Sequence, residues 1–342
     1  MVQTSPDRPV LVVLCGASEQ PPELSSALRG RLQLRITDAG GLAGSLEGAS
    51  TLLLWDFFSA ALREAWASAG SLRWVHVAAA GVDTLLFPEL VSSDVVVTNA
   101  KGVFDHPIAE FVLAAILAHA KDLRTSWDHQ QRQVWDHRET HLVAGTRALV
   151  VGTGSIGREI ARLLRAVGVD VVGAGRTARG VDPDFERIVA SDDLVDHVGE
   201  VDHLVLAAPL TPATHGLVNA RVLASLPRRA HLINIARGPI VEEDALREAL
   251  EAGRLAAASL DVFGTEPLPT SHPLWSTPRV SISAHMSGDV IGWRDTLARQ
   301  FADNASRWLD GRPLLNVVDK ELGFSTPAEA TDPQETASKE TR

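Results

Sequence analysis

The 342-residue chain is poor in features that mark several large classes of protein. It has one cysteine, Cys15, so no intrachain disulfide can form and no thiolate cluster can hold a metal. Cys15 closes the apolar run Val10–Leu14 and reads as a core residue. No Lys/Arg run is present, and the formal net charge is -11, which argues against a nucleic-acid partner. Any anionic ligand must therefore be drawn in by a few placed arginines. No stretch approaches the roughly 18 apolar residues of a membrane span, so no membrane partner is expected. The first apolar run is short, follows Asp7 and Arg8, and lacks the layout of a secretion signal. A cytoplasmic protein is expected.

What remains is ordinary globular composition, with 45% hydrophobic and 22% charged residues. The length exceeds what one core usually holds, so two domains are expected. Strand-like runs alternate with helical patterns. The first half offers Val10–Leu14, Thr51–Trp55, Trp74–Ala78 and Val95–Asn99 as strands. The second offers Ala148–Val151, Val169–Ala174, His203–Ala207, His231–Ile235, Ala257–Leu260 and Val280–Ser283. Helices are expected at Pro107–Lys121, Ile156–Val167 and Val241–Ala252, the last closed by Gly253. Such alternation predicts an α/β protein with parallel sheets covered on both faces. From about Glu321 the chain is rich in Thr, Glu, Pro, Ser and Lys, and 321–342 is expected to be disordered.

Gly152, Gly154 and Gly157 form a G-x-G-x-x-G between an expected strand and an expected helix. In that context the first Gly permits the turn, the second admits a pyrophosphate and the third lets helix meet strand. The helix N-terminus then offers unpaired N–H groups to phosphate. An NAD site usually carries Asp or Glu at the end of the next strand. Gly175 stands there instead, followed by Arg176 and Thr177, with Arg179 nearby. An acid would repel a 2′-phosphate, whereas a guanidinium pairs with it, so NADP(H) is favoured over NAD(H).

Three later segments put a polar residue just past an expected strand: Arg237 after Asn234, Glu266 before Pro267, and His285 after Ser283. Singly, each is commonplace. Together, downstream of a dinucleotide turn, they suit chemistry on a 2-keto acid. An arginine can hold the carboxylate and polarise the carbonyl. A histidine can supply the proton that follows hydride transfer, and a carboxylate on its other nitrogen fixes the tautomer.

The segments 152–157, 208–216, 234–238, 261–267 and 283–288 resemble, in order, the signatures of the D-isomer-specific 2-hydroxyacid dehydrogenases. The likeness runs over roughly residues 70–320. It implies two doubly wound domains, a Rossmann nucleotide-binding domain (101–291) inserted into a flavodoxin-like substrate domain (1–100 and 292–320). A cleft between them would close over the reactants. The resemblance implies Arg237, Glu266 and His285 as the catalytic residues and no metal. It implies cofactor contacts at Ser155, Ile156, Pro209, Thr214, Ala236 and Asp261, beside the glycine turn, Arg176 and Thr177. It implies that the substrate carboxylate rests on Ala80 and Gly81, with Arg237. It also implies a homodimer through the helix from Pro107, with Trp135 in the segment that reaches the partner.

The activity so implied is reduction of a small anionic 2-keto acid, such as glyoxylate or hydroxypyruvate, to the D-2-hydroxy acid. An NAD-linked enzyme for another 2-hydroxy acid, such as 3-phosphoglycerate, would show added cations near Gly81, and none is present. A dinucleotide-sensing binding protein with little turnover is the reading from another class. Trp55 stands equally well as pocket or core. His129, His137 and His141 lack a convincing third-ligand geometry and read as solvated.

Overall fold

Near-continuous apolar runs build two parallel sheets, one in each of two compact units. The computed structural model describes residues 8–16 and 20–325. One unit takes residues up to Ala100 and again from Leu297; the other runs from Lys101 to Thr296.

The first unit holds β1 (Val10–Leu14), β2 (Gln33–Thr37), β3 (Thr51–Leu54), β4 (Trp74–Val77) and β5 (Val96–Thr98). Their order, β2-β1-β3-β4-β5 with every pair parallel, is the flavodoxin-like winding. β1, β3 and β4 are buried throughout, as a sheet covered on both faces requires. Trp74 stacks on Phe301 with ring centroids 5.6 Å apart, which ties the returning chain to the sheet. Lys320 caps the end of the short helix Pro88–Val91 from outside, donating to the carbonyls of Leu90, Ser93 and Val95.

The second unit holds β6 (Arg147–Val151), β7 (Asp170–Gly175), β8 (Ile188–Ala190), β9 (His203–Leu206), β10 (His231–Asn234), β11 (Ala257–Leu260) and β12 (Val280–Ile282). Their order is β12-β11-β10-β9-β6-β7-β8, all parallel. Winding starts at β6, runs outward through β7 and β8, then restarts at β9 on the other side. This is the Rossmann pattern, and its switch point lies between β6 and β9.

Two strands escape the sequence reading, β2 and β8. Both are sheet edges; β2 is mostly exposed and β8 is three residues long, so neither shows a buried apolar run. The helices fall close to expectation, at Asp105–Ala120, Ser155–Ala166 and Glu243–Glu251. The last ends in a Schellman motif. Gly253, at φ +66°, donates to Leu250 and Arg254 donates to Ala249, so the left-handed turn satisfies two terminal carbonyls. Residues 321–325 form a turn in which Asp319 and Phe324 pair, at the start of the expected tail; 326–342 lie outside the described residues. Among the described residues no helix is long and apolar enough to cross a membrane.

Candidate active site

The glycine turn sits at the switch point, and its three glycines do different work. Gly152 has φ +108°, and a Cβ there would lie 2.5–2.6 Å from the backbone of Ala207 and Ala208. Only glycine lets the turn after β6 abut the turn after β9. A Cβ on Gly157 would run into the Gly152 carbonyl, so helix Ser155–Ala166 starts directly against the turn. Gly154, by contrast, would point a Cβ into open space, and no side chain caps the helix it precedes. Open approach beside uncapped N–H groups fits a pyrophosphate.

Ser155 and Ile156 begin that helix, both partly exposed. The Ser155 hydroxyl donates to Asp105 at 3.2 Å. Burial pushes the Asp105 carboxyl above its ordinary value, against the Ser155 hydroxyl, the Gly102 N–H and the charge of Lys101. Thr214 folds its own loop: its hydroxyl donates to Pro209 O at 2.7 Å and accepts from Thr211 N at 2.8 Å. Arg176 and Thr177 are exposed just past β7. The side chain of Thr153 covers the end of that strand; a Cβ on Gly175 would lie 3.0 Å from its hydroxyl oxygen.

Arg237, Glu266 and His285 follow β10, β11 and β12, three neighbours in the sheet. Asn234 shapes the first turn. Its amide donates to Arg237 O at 3.0 Å and its carbonyl accepts from Ala236 N at 3.1 Å, leaving Ala236 buried. The Arg237 guanidinium donates to Ala236 O at 2.7 Å. Gly238 then lies flat on the second turn, since a Cβ there would collide with the backbone of Phe263 and Gly264. This close approach brings the arginine turn and the glutamate turn together.

Glu266 uses both oxygens. One accepts from Phe263 N at 2.8 Å, the other from His285 Nδ1 at 2.7 Å. Burial raises the Glu266 carboxyl, but the bonds from His285 and Phe263 and the charges of His285 and Arg237 outweigh it. The net position is below the ordinary carboxyl value. His285 is about 30% exposed, so its imidazole is both held and reachable.

His285 has φ +50°, in the left-handed region that few non-glycine residues adopt. The cause is Asp261. His285 N donates to the Asp261 carbonyl at 2.8 Å, while Met286 N and Ser287 N donate to its carboxylate at 3.0 and 2.9 Å. Ser283 Oγ adds a fourth bond at 2.5 Å, and Asp261 is 0% exposed. The 283–287 turn is thus wrapped around a buried carboxylate. The resemblance makes Asp261 a cofactor contact; the contacts of its side chain lie in the turn that carries His285. Sequence reasoning missed this anchor, along with Asn234 and Gly238, because each acts on a segment far away or on backbone.

Ala80 and Gly81 belong to the other unit. Their loop follows β4, with Asn99 donating to Ala80 O at 2.6 Å and Ala100 N to Ala79 O at 2.9 Å. Trp55 is core rather than pocket, buried with its indole N–H donating to Gln20 O. Trp135 is 99% exposed. Among the described residues no group of three or more His, Cys, Asp or Glu is arranged to hold a metal.

Comparison with known proteins agrees with the fold. The family model for the NAD-binding domain of D-isomer-specific 2-hydroxyacid dehydrogenases matches residues 113–287. Glyoxylate/hydroxypyruvate reductase A of Serratia proteamaculans is 32% identical over 267 residues, covering 76% of this chain and 84% of that protein. A D-isomer-specific 2-hydroxyacid dehydrogenase from Xanthobacter autotrophicus Py2, solved with NADPH and MES, is 34% identical with a TM-score of 0.78. An NADPH-dependent glyoxylate/hydroxypyruvate reductase from Sinorhizobium meliloti, solved with NADP and sulfate, is 29% identical with a TM-score of 0.79. Each of these two structural similarities spans 92% of this chain and 99% of the other.

Proposed function

The chain belongs to the D-isomer-specific 2-hydroxyacid dehydrogenase family, and we propose that it reduces a small 2-keto acid, of the glyoxylate or hydroxypyruvate kind, to the D-2-hydroxy acid, with NADPH favoured over NADH. The observation that carries this reading is the 2.7 Å bond between His285 Nδ1 and Glu266, which lies in the turn after the strand next to the one that Arg237 follows. Unit 101–296 is taken as the nucleotide domain, and 1–100 with the returning chain as the substrate domain.

The dihydronicotinamide, when bound, supplies the hydride. The residues of the chain do the rest. Arg237 pairs with the substrate carboxylate and polarises the adjacent carbonyl. Ala80 and Gly81, in the other unit, are assigned to substrate binding through their backbone amides. Glu266, ionised and bonded to Nδ1, holds His285 with its Nε2 proton available to the forming alkoxide. Asp261 keeps the His285 turn in place. NADPH preference rests on the missing acid at Gly175, on Arg176 and Thr177, and on the NADPH and NADP bound to two similar structures.

A homodimer fits the exposed Trp127, Trp135 and Leu142, which cluster in one stretch of sequence after helix Asp105–Ala120. Sedimentation is expected to give the mass of two chains; a single-chain mass would defeat that part. A cytoplasmic setting fits a chain with one cysteine. The main test is a steady-state assay with NADPH and NADH against glyoxylate, hydroxypyruvate, pyruvate and 3-phosphohydroxypyruvate. Turnover of one of the first two with NADPH is expected. Preference for the phosphorylated acid with NADH would install the dehydrogenase alternative, and cofactor binding without turnover would install the sensor.

A further inference from the structure

Helix Ser155–Ala166 does more than present its N-terminus. Arg158, the residue after the last glycine of the turn, reaches the loop between β7 and β8. Its Nη1 and Nη2 donate to the two oxygens of Asp182 at 2.8 and 3.0 Å, and Nη1 also donates to Asp184 at 2.7 Å. One turn on, Arg162 grips Asp184 through Nε and Nη2 at 2.7 and 3.1 Å. Asp184 N donates to Asp182, and Arg165 donates to Pro183 O, so three successive residues are held from the helix. The Arg158 bonds hold the Asp182 carboxyl down to about 2, and those of Arg162 and Arg158 lower that of Asp184. Phe185 completes the fixture from below. It is buried against Gly173, where a Cβ would lie 3.1 Å from its ring, with Arg158 over its face.

The clamped segment leads straight into β8. Ile188 pairs with Gly173 on one side and forms an antiparallel bridge with Arg179 on the other, with bonds of 2.8 and 2.9 Å. The turn 176–179 is therefore strung between the end of β7 and a strand whose start is set by the clamp. We propose that Arg158, Asp182, Asp184 and Arg162 form a positioning clamp for cofactor choice, fixing the 176–179 turn so that Arg176 and Thr177 receive a 2′-phosphate. The proposal rests on the NADPH reading above. The clamp has a second effect. Asp182 and Asp184 would repel a phosphate dianion, and two guanidinium groups neutralise the two carboxylates.

The test is direct binding, by nucleotide fluorescence, of NADPH and NADH to full-length protein carrying Asp182→Asn together with Asp184→Asn. The sign of the effect is diagnostic. If the two acids act only as charges, their removal strengthens NADPH binding. If they position the turn, NADPH binding weakens by about tenfold, roughly 1.4 kcal/mol, while NADH stays within about twofold. Asp182→Asn alone, which retains the shape and leaves the Arg162–Asp184 bonds, is expected to move the ratio the same way by about threefold. It carries the test should the double variant lose its melting transition without nucleotide. Equal weakening for both nucleotides, no change, or tighter NADPH binding would overturn the clamp. Wild-type protein that binds the two nucleotides equally would overturn the NADPH reading and the clamp with it; a wild-type preference kept in both variants overturns the clamp alone.

Discussion

His285, as the proposed proton donor, is the residue at which chemistry and binding should separate. Its ring is bonded to Glu266, and its backbone to Asp261. His285→Ala is expected to lower kcat by about 10²–10⁴, the usual worth of a positioned proton donor, with NADPH affinity unchanged in a fluorescence titration. Full activity in that variant would remove His285 from the reaction. Arg176 is the matching case for the cofactor. Arg176→Ala is expected to raise the KM for NADPH by about tenfold or more and leave that for NADH nearly unchanged, as loss of a guanidinium–phosphate pair should. Equal effects in parallel KM measurements would defeat the 2′-phosphate assignment. These residues were legible because their chemistry shows in their type and place: a polar residue past each strand, and no acid where an NAD site carries one.

At the scale of elements, the site is three turns locked to each other. Asn234 shapes the turn after β10, Gly238 lays it on the turn after β11, and Asp261 at the end of β11 holds the turn after β12. Asp261→Ala leaves two N–H groups and a serine hydroxyl without their acceptor. It is expected to destabilise the unit by about 2–3 kcal/mol, the usual cost of unpairing buried donors from a charged group. It should also lower kcat by more than tenfold as His285 loses its place, with a smaller change in NADPH affinity. Chemical unfolding and kinetics on one preparation check this. A large loss of nucleotide affinity with unchanged stability would make Asp261 a cofactor contact instead. None of the locks could be read from spacing, because backbone collisions and carboxylate nests exist only once strands are side by side. The edge strands β2 and β8 were hidden for the opposite reason, having too little buried surface to leave a pattern.

For the molecule as a whole, buried histidines set the response to acid. His76 lies in the first unit, bonded to Thr98, and burial lowers it to about 3. His203 and His231 lie in the second; burial lowers His203 to about 4 and His231 well below its ordinary value. The ordinary value, 6.5, stands for the unfolded chain. Between it and the folded values the unfolded chain binds more protons, so stability is complete above about pH 6.5 and falls as pH drops. Each histidine contributes a slope of about 1.4 kcal/mol per pH unit in that window. Stability from denaturant unfolding should therefore begin to fall near pH 6.5, ahead of the carboxylate range. His231→Gln should flatten the decline for the second unit, and a flat profile down to pH 5 in the unaltered protein would refute the account.

The sequence by itself determined the class of fold, the glycine turn and the three side chains proposed to react. Each of these is written locally: apolar runs of strand length, glycines at fixed spacing, one chemically apt residue past a strand. Only the tertiary structure decided how those pieces are held. It buried Trp55, turned Asp261 inward, laid Gly238 on Phe263 and joined Arg158 to carboxylates 24 and 26 residues away. A parallel sheet makes neighbours of strand ends that are distant along the chain. Contacts between those ends are fixed by sheet order and register, not by the composition of either segment.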